Sequence, residues 1–188
     1  MALRSIAWVK DEARGLEFAE VDLDASRLRA TGVAIGTAPE PYRLDYALAT
    51  GDEFVTTELQ VSARGEGWQR SLRLVRDEDG SWTANGSREG GLSEALDCDL
   101  AWSPLTNTMP VLRHRLLQGG GPLDFVMAWV SVPDLSIRPS GQRYTFVRRE
   151  GDNSVVRYES SSRDFVAELT FDPDGLVIAY PGIGSRIG

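Results

Sequence analysis

Apolar and polar residues alternate along most of this chain, in short runs that turn sequences separate. In the run EFVTTELQVSA, Val55, Leu59 and Val61 occupy one set of alternate positions, and Glu58 and Gln60 occupy the other. Successive side chains of a β-strand point to opposite faces, so a period of two predicts strands that are buried on one side. The runs RLDYALAT, QRYTFVRR and DFVAELTFD share the pattern. It predicts a mainly β fold.

The turns between these runs have the composition of tight hairpins. Asp79-Gly80 and Asn85-Gly86 are dipeptides that tolerate positive φ, and DPDG joins the last two runs. Many consecutive strands with almost no helix predict an antiparallel barrel, roll or sandwich. A chain of 188 residues fits one domain, so we expect residues 1–188 to form a single unit.

The segment SPLTNTMPVLRHRLLQ, residues 103–118, is the best candidate for a helix. Ser103 is a favourable N-cap residue, and Pro104 suits the first helical position, where a backbone N–H is not needed. A proline inside a helix removes a hydrogen bond, so Pro110 predicts an end or a kink. We therefore expect a short helix up to about Pro110 and extended chain after it. The Ser, Thr and Asn side chains are expected to order a fixed turn by bonding nearby backbone groups.

The chain is acidic, with a net charge of -8 and a pI near 4.7. Clustered cations bind nucleic acids and anionic membranes, so neither is an expected partner. No segment has the length of a transmembrane helix, and residues 1–15 do not form a signal peptide. One cysteine forms no internal disulfide. These features predict a cytoplasmic protein without stable membrane insertion.

The chain contains few residues of the types that act in catalysis. One histidine, His114, and one cysteine, Cys98, are too few for a transition-metal site, so neither a metal nor another cofactor is expected. The charges of Asp97 and Asp99 raise the pKa of a thiol between them and weaken it as a nucleophile. We predict no catalytic residue. The enzymatic alternative is a hydrolase or isomerase that uses Asp97 or Asp99 with His114.

The run LDFVMAWVSV is apolar on both faces of its predicted strand. Phe125, Met127 and Trp129 share one face, and Val126 and Ala128 lie on the other. Such a strand is covered on both sides or lines an apolar cavity. Periodicity alone leaves both possibilities open.

Three segments also carry a family resemblance: LDCDLAWSPLTNTMPVLR, AWVSVPDLSIRPSGQRYTF and VRYESSSRDFVAELTFDPDGLVIAYPGIGSR. Their motifs are the Asp-x-Asp-Leu lead at 97–100, the core at 103–110 and the Tyr-Pro-Gly at 180–182. The chain resembles, over essentially its whole length, a bacterial glycolipid-binding family that was formerly a domain of unknown function. The resemblance implies a spiral β-roll, an open half-barrel similar to the bacterial lipoprotein-localisation carriers. It also implies non-catalytic binding of a lipid or glycolipid-like small molecule.

The candidate site follows from this resemblance and from the apolar strand faces. We expect a cavity between the curved sheet and residues 103–118. The residues expected to form its wall are Phe125, Met127, Trp129, Phe165 and Tyr180. The residues expected to supply polar contacts at its mouth are Ser103, Thr106, Asn107, Thr108 and Arg113.

A third possibility is an interaction module. Unpaired backbone groups at the edge of a sheet can pair with a second copy, so exposed edges favour dimerisation. The sequence predicts a monomer or a homodimer and does not distinguish between them.

Overall fold

The computed structural model describes residues 2–12 and 14–187, and fifteen strands of these residues form one curved, open sheet. The strands are β1 Ala2–Lys10, β2 Gly15–Leu23, β3 Leu28–Gly36, β4 Tyr42–Thr50, β5 Thr56–Gly65, β6 Trp68–Arg76, β7 Trp82–Ala84, β8 Ser87–Glu89, β9 Asp97–Leu100, β10 Leu123–Val130, β11 Ile137–Glu150, β12 Asn153–Ser160, β13 Phe165–Phe171, β14 Val177–Tyr180 and β15 Gly184–Ile187. The prediction of a mainly β roll with one short helix is confirmed.

The sheet runs β8-β7-β6-β5-β4-β3-β2-β1-β15-β14-β13-β12-β11-β10-β9. Neighbouring strands are antiparallel, as predicted, except that β9 and β10 are parallel. Parallel neighbours require a crossover, and the chain between these two strands, residues 101–122, provides it. The alternation in β4 is confirmed, because Tyr42, Leu44, Tyr46 and Leu48 are all buried.

The crossover contains the helical residues of the site, which we call the central segment (residues 103–118). A 3₁₀ turn spans Pro104–Asn107, helix α1 spans Thr108–Arg113, and a second 3₁₀ turn spans Leu116–Gln118. Helix α1 thus continues past Pro110, and the predictions of an end there and of extended chain after it are wrong. Pro110 is the third residue of α1, where an N–H has no acceptor within the helix.

Two hydrophobic clusters fill the curve of the sheet, and β10 contributes to both. Ala128 and Val130 belong to the cluster formed mainly by β1 to β9. Met127 belongs to the cluster formed by β11 to β14 and the central segment. The strand that is apolar on both faces is therefore covered on both sides at Met127, Ala128 and Val130.

Two glycines in β3 make room for tyrosine rings of β4. Tyr46 lies opposite Gly32, and Tyr42 lies opposite Gly36. A Cβ atom at Gly32 would lie 2.4 Å from the Tyr46 ring, and one at Gly36 would lie 2.5 Å from the Tyr42 hydroxyl. The rings therefore lie across β3, where only glycine leaves space.

The only lysine of the chain lies inside the fold. Lys10 and Glu17 have 2% and 0% exposed side chains, and their Nζ and Oε2 atoms are 3.3 Å apart. Glu17 Oε1 accepts hydrogen bonds from the Tyr46 hydroxyl at 2.9 Å and from Ser103 Oγ at 2.6 Å. This buried charge pair therefore connects the first half of the sheet to the central segment.

The outer edge of β9 is covered by the chain at the start of β5. The Thr56 backbone N–H donates to the Leu96 carbonyl at 3.0 Å, and the Cys98 N–H donates to Thr56 Oγ1 at 3.1 Å. These bonds occupy groups that edge-to-edge dimerisation through β9 would use. Across the part of the chain that the structure describes, no helix is long and apolar enough to span a bilayer.

Candidate functional site

The two aspartates of β9 belong to a buried polar network under the central segment. Asp99 Oδ1 accepts a hydrogen bond from Thr106 Oγ1 at 3.1 Å, and Oδ2 accepts one from Gln142 Nε2 at 2.5 Å. Burial raises the pKa of Asp99, and the nearby Arg163 guanidinium opposes that rise. Thr106 thus holds the central segment against the sheet.

Asp97 forms the second carboxylate contact of the network, with Arg113. Arg113 Nη2 donates to Asp97 Oδ2, and both side chains are almost fully buried. Burial raises the pKa of Asp97 to about 6, and the Arg113 guanidinium opposes part of that rise. Asp97 Oδ1 and the Nε and Nη1 atoms of Arg113 have no hydrogen-bond partner among the described residues. Arg113 is therefore a buried partner of β9.

Asn107 connects the central segment to β11. Its Oδ1 accepts a hydrogen bond from the Tyr144 hydroxyl at 2.9 Å, and its Nδ2 donates to the Pro104 carbonyl at 3.3 Å. Thr108 is fully buried, and its Oγ1 has no hydrogen-bond partner in the described chain. These contacts are those expected of residues that fix a turn.

We expect Asn107→Ala to lower the free energy of unfolding by roughly 1–3 kcal/mol, because buried hydrogen-bonding groups of Tyr144 and Pro104 lose their partner. Urea unfolding measures the change. The matched control is Thr108→Val in the same segment. It removes a hydroxyl that makes no hydrogen bond, and the free energy of unfolding should stay the same or increase. Equal losses for both variants would contradict the structural role of Asn107.

The lone cysteine and the lone histidine have different surroundings. Cys98 is fully buried, and burial raises the pKa of its thiol. The His114 ring packs 5.0 Å from the Phe125 ring, and burial lowers the pKa of His114. Within the described residues, no hydrogen bond joins His114 to Asp97 or Asp99, and no group of three or more His, Cys, Asp and Glu side chains could hold a metal ion.

Apolar side chains of the central segment occupy the inside of the curve, where the sequence predicted a cavity. Leu105, Met109, Val111 and Leu116 are fully buried and occupy the inside of the curve. The cavity prediction is therefore wrong for the inside of the roll. It overlooked that the crossover itself carries enough apolar side chains to fill the curve. Open space lies instead at the rim, in two neighbouring depressions.

The first depression, the aromatic pocket, has a volume of about 260 Å³. Its lining includes Trp102, Trp129, Arg163, Phe165, Tyr180 and Ile183. The Phe165 and Tyr180 ring centroids are 6.1 Å apart. Trp102 has a φ of 65°, a left-handed conformation that is uncommon for a bulky residue and is found more often at functional sites.

The second depression, the long groove, has a volume of about 850 Å³, within the range of about 300–1,000 Å³ that ligand sites occupy. Its apolar lining includes Leu96, Phe125, Val126, Phe165 and Val166. Five carboxylate residues also line it: Glu94, Asp97, Asp124, Glu159 and Asp164. Phe165 lines both depressions, so they meet at its ring.

Two arginines flank Trp129 beside the aromatic pocket. The Arg138 Cζ atom is 4.4 Å from the centroid of the Trp129 ring, and the Arg163 Cζ atom is 5.8 Å from it. Arg138 lies directly opposite Trp129 in the β10–β11 pair. Arg163 Nε donates to Ser160 Oγ at 3.1 Å. The pocket thus combines aromatic walls with the Arg163 cation, and Arg138 lies over the ring of the wall residue Trp129.

The structure places the ten predicted site residues in three groups. Trp129, Phe165 and Tyr180 line the aromatic pocket, and Phe125 lines the long groove. Met127 is in the core. The polar residues expected at the mouth are all part of the buried central segment: Ser103, Thr106, Asn107, Thr108 and Arg113.

Among the pocket residues that sequence reasoning missed are Trp102, Arg163 and Ile183. Trp102 directly precedes the SPLTNTMP motif, and this position could have identified it as a candidate site residue. Arg163 lies in the turn after β12 and reaches back over the sheet, so the sequence pattern contains no sign of its role.

Comparisons with known proteins agree with this fold. The model of a family described as "Putative glycolipid-binding" matches residues 5–186. A crystal structure of a DUF1089 family protein from Pseudomonas aeruginosa is similar, with a TM-score of 0.75 and 29% sequence identity. The similarity covers 91% of this chain and 92% of that one. No curated protein matches the chain. The residues that the family model matches include the central segment, the aromatic pocket and the long groove.

Proposed function

The chain belongs to the glycolipid-binding family whose model it matches, and we propose that it binds a lipid-like amphiphile without catalysing a reaction. The observation that carries this proposal is the meeting of the aromatic pocket and the long groove at Phe165. An amphiphile needs an apolar surface for its chain and polar groups for its head. The two depressions supply both on one continuous surface.

The apolar side chains of the long groove suit an alkyl chain. Leu96, Val126 and Val166 border it, and Leu96 and Val166 are 37% and 52% exposed. Apolar surface that remains exposed in the free protein lowers the free energy of a complex when a ligand covers it. In this proposal Phe125, Phe165 and Leu96 contact the chain. The aromatic pocket, with Trp129 and Tyr180, contacts the head.

The enzymatic alternative has weaker support. The carboxylates of Asp97 and Asp99 are engaged by Arg113, Thr106 and Gln142, which leaves them poorly placed to exchange a proton with His114. The proposal keeps two expectations from the sequence, a cytoplasmic location and a monomer or homodimer.

We expect Phe165→Ala to weaken the binding of dodecyl amphiphiles by about tenfold or more, because the ring contributes contact area to both depressions. The probes are dodecanoate, dodecyl phosphate and dodecyl maltoside, each below its micelle concentration. Tryptophan fluorescence reports binding, since Trp102 and Trp129 line the pocket. Native mass spectrometry gives the number of molecules bound.

The matched control is Phe18→Ala, which removes the same ring from the opposite, convex face of the sheet, where Phe18 is 44% exposed. Its affinities should equal those of the wild type. The proposed function is wrong if none of the three probes binds, or if both phenylalanine variants lose affinity equally.

A further inference from the structure

Resting on the proposed function, we infer that the aromatic pocket is a head-group site that selects an anionic oxygen group, a carboxylate or a phosphate, through Arg138 and Arg163. The ligand class is thus an anionic amphiphile.

The first observation is the availability of the Arg138 charge. Arg138 is exposed on β11, and no carboxylate of the described residues forms an ion pair with it. Its guanidinium is held over the Trp129 ring at 4.4 Å. Stacking on an aromatic face orients a guanidinium and leaves the N–H groups at its rim able to donate to an anion.

Arg163 supplies the second cation. Its side chain lines the pocket, Nε donates to Ser160 Oγ, and Nη2 donates to the Tyr158 hydroxyl. No hydrogen bond of the described residues involves Nη1. The group is therefore held in place by two bonds and retains free donors. Hydrogen bonds between a guanidinium and an anionic oxygen are about twice as strong as those between neutral groups.

Two carboxylates could compete with a ligand for these cations. Asp99 Oδ2 is 3.7 Å from Arg163 Nη2, but both Asp99 oxygens already accept hydrogen bonds inside the network. Glu12 lines the pocket and is exposed to solvent, which screens its charge. Neither carboxylate therefore occupies the free donors of Arg138 and Arg163.

The distribution of charge also orients the ligand. The long groove carries five carboxylate residues, of which Asp124 is paired with Arg143, Asp97 with Arg113 and Glu159 with Arg157. An anionic head is repelled from Glu94 and Asp164 and is attracted to the guanidinium groups beside Trp129. The head then lies in the aromatic pocket, and the alkyl chain crosses Phe165 into the long groove.

The experiment compares four probes with the same chain: dodecanoate, dodecyl phosphate, dodecyl maltoside and dodecyltrimethylammonium. We expect the two anions to bind at least about tenfold more tightly than the neutral and cationic probes, because one hydrogen bond to a charged group changes an affinity by about that factor. Arg138→Gln and Arg163→Gln should each reduce the affinity for the anions about tenfold. Their affinity for dodecyl maltoside should change little. Arg138→Gln is the cleaner variant, because the Arg138 side chain makes no ion pair or hydrogen bond within the described chain.

The matched control is Arg27→Gln, which removes the same charge from an exposed pair with Asp52, and neither residue lines the two depressions. It should leave all affinities unchanged. Probes that bind with equal affinity, or an equal loss in Arg27→Gln, overturn the head-group inference and leave the proposed function standing. Absence of all binding overturns the proposed function itself. Displacement of dodecyl phosphate by an equal concentration of inorganic phosphate would show a free-anion site and would also overturn the inference.

Discussion

Lys10→Met should lower the free energy of unfolding by about 3–5 kcal/mol, the cost of leaving one member of a buried ion pair without its partner. Glu17 is fully buried, and Lys10 Nζ is the only cation within ion-pair distance of it among the described residues. The methylenes of methionine retain most of the packing of the lysine stem. The loss therefore measures the uncompensated Glu17 charge.

Three variants separate this charge effect from packing, with the free energy of unfolding measured in urea. Lys10→Met/Glu17→Gln should recover most of the loss, because the glutamine oxygen still accepts from Tyr46 and Ser103 but carries no charge. Arg73→Met is the control, because it breaks an exposed pair with Glu58 at 2.6 Å. It should cost about 1 kcal/mol or less. If Lys10→Met costs no more than Arg73→Met, the buried pair is not the stabilising link described above.

The sheet was predictable because its strands repeat an alternation of apolar and polar residues. Val55, Leu59 and Val61 alternate with polar residues in this way, and the hairpin dipeptides mark the turns between one alternating run and the next. The two-sided strand β10 shows the limit of this rule. Its sequence required cover or a cavity on both faces, and the fold provides both, with core around Met127 and Ala128 and open depressions at Phe125 and Trp129.

The central segment was harder to predict because its partners are distant in sequence. Ser103 bonds Glu17, which is 86 positions away, and Asn107 bonds Tyr144, which is 37 positions away. Local rules for Ser, Thr and Asn favour bonds to nearby backbone, and the Thr106 bond to Ser103 and the Asn107 bond to Pro104 follow them. Helix α1 extends past Pro110 because Val111 is fully buried. Helix propensities describe the local sequence and do not include the contacts that bury it.

The candidate site was predicted on its apolar side and missed on its charged side. Trp129, Phe165 and Tyr180 follow from strand faces. Arg138 was within reach of the sequence, since pairing β10 with β11 in register places it opposite Trp129. Arg163 was not, because a turn residue acquires its neighbours only when the sheet has curved.

Asp97 should make the folded state less stable as the pH rises from about 4 to about 6. Its pKa is raised from 3.8 to about 6 in the folded protein, mainly by burial. Between these values the folded state binds more protons than the unfolded state, so the free energy of unfolding decreases with increasing pH. The contribution of the Asp97 proton is complete below the unfolded pKa and is lost above the folded one. At about 1.4 kcal/mol for each unit of pKa, the total change is about 3 kcal/mol.

The measurement is the free energy of unfolding in urea at several pH values from about 4 to 7, for the wild type and for Asp97→Asn. Asparagine resembles the protonated carboxyl and does not titrate, so the advantage of the wild type over Asp97→Asn should shrink by about 3 kcal/mol across this range. The control is Asp124→Asn. The Arg143 hydrogen bonds lower the pKa of Asp124, so this variant should produce no such decrease in the same range. A difference between wild type and Asp97→Asn that stays constant with pH would mean that Arg113 compensates the buried carboxylate fully, and that the pKa of Asp97 is close to its ordinary value.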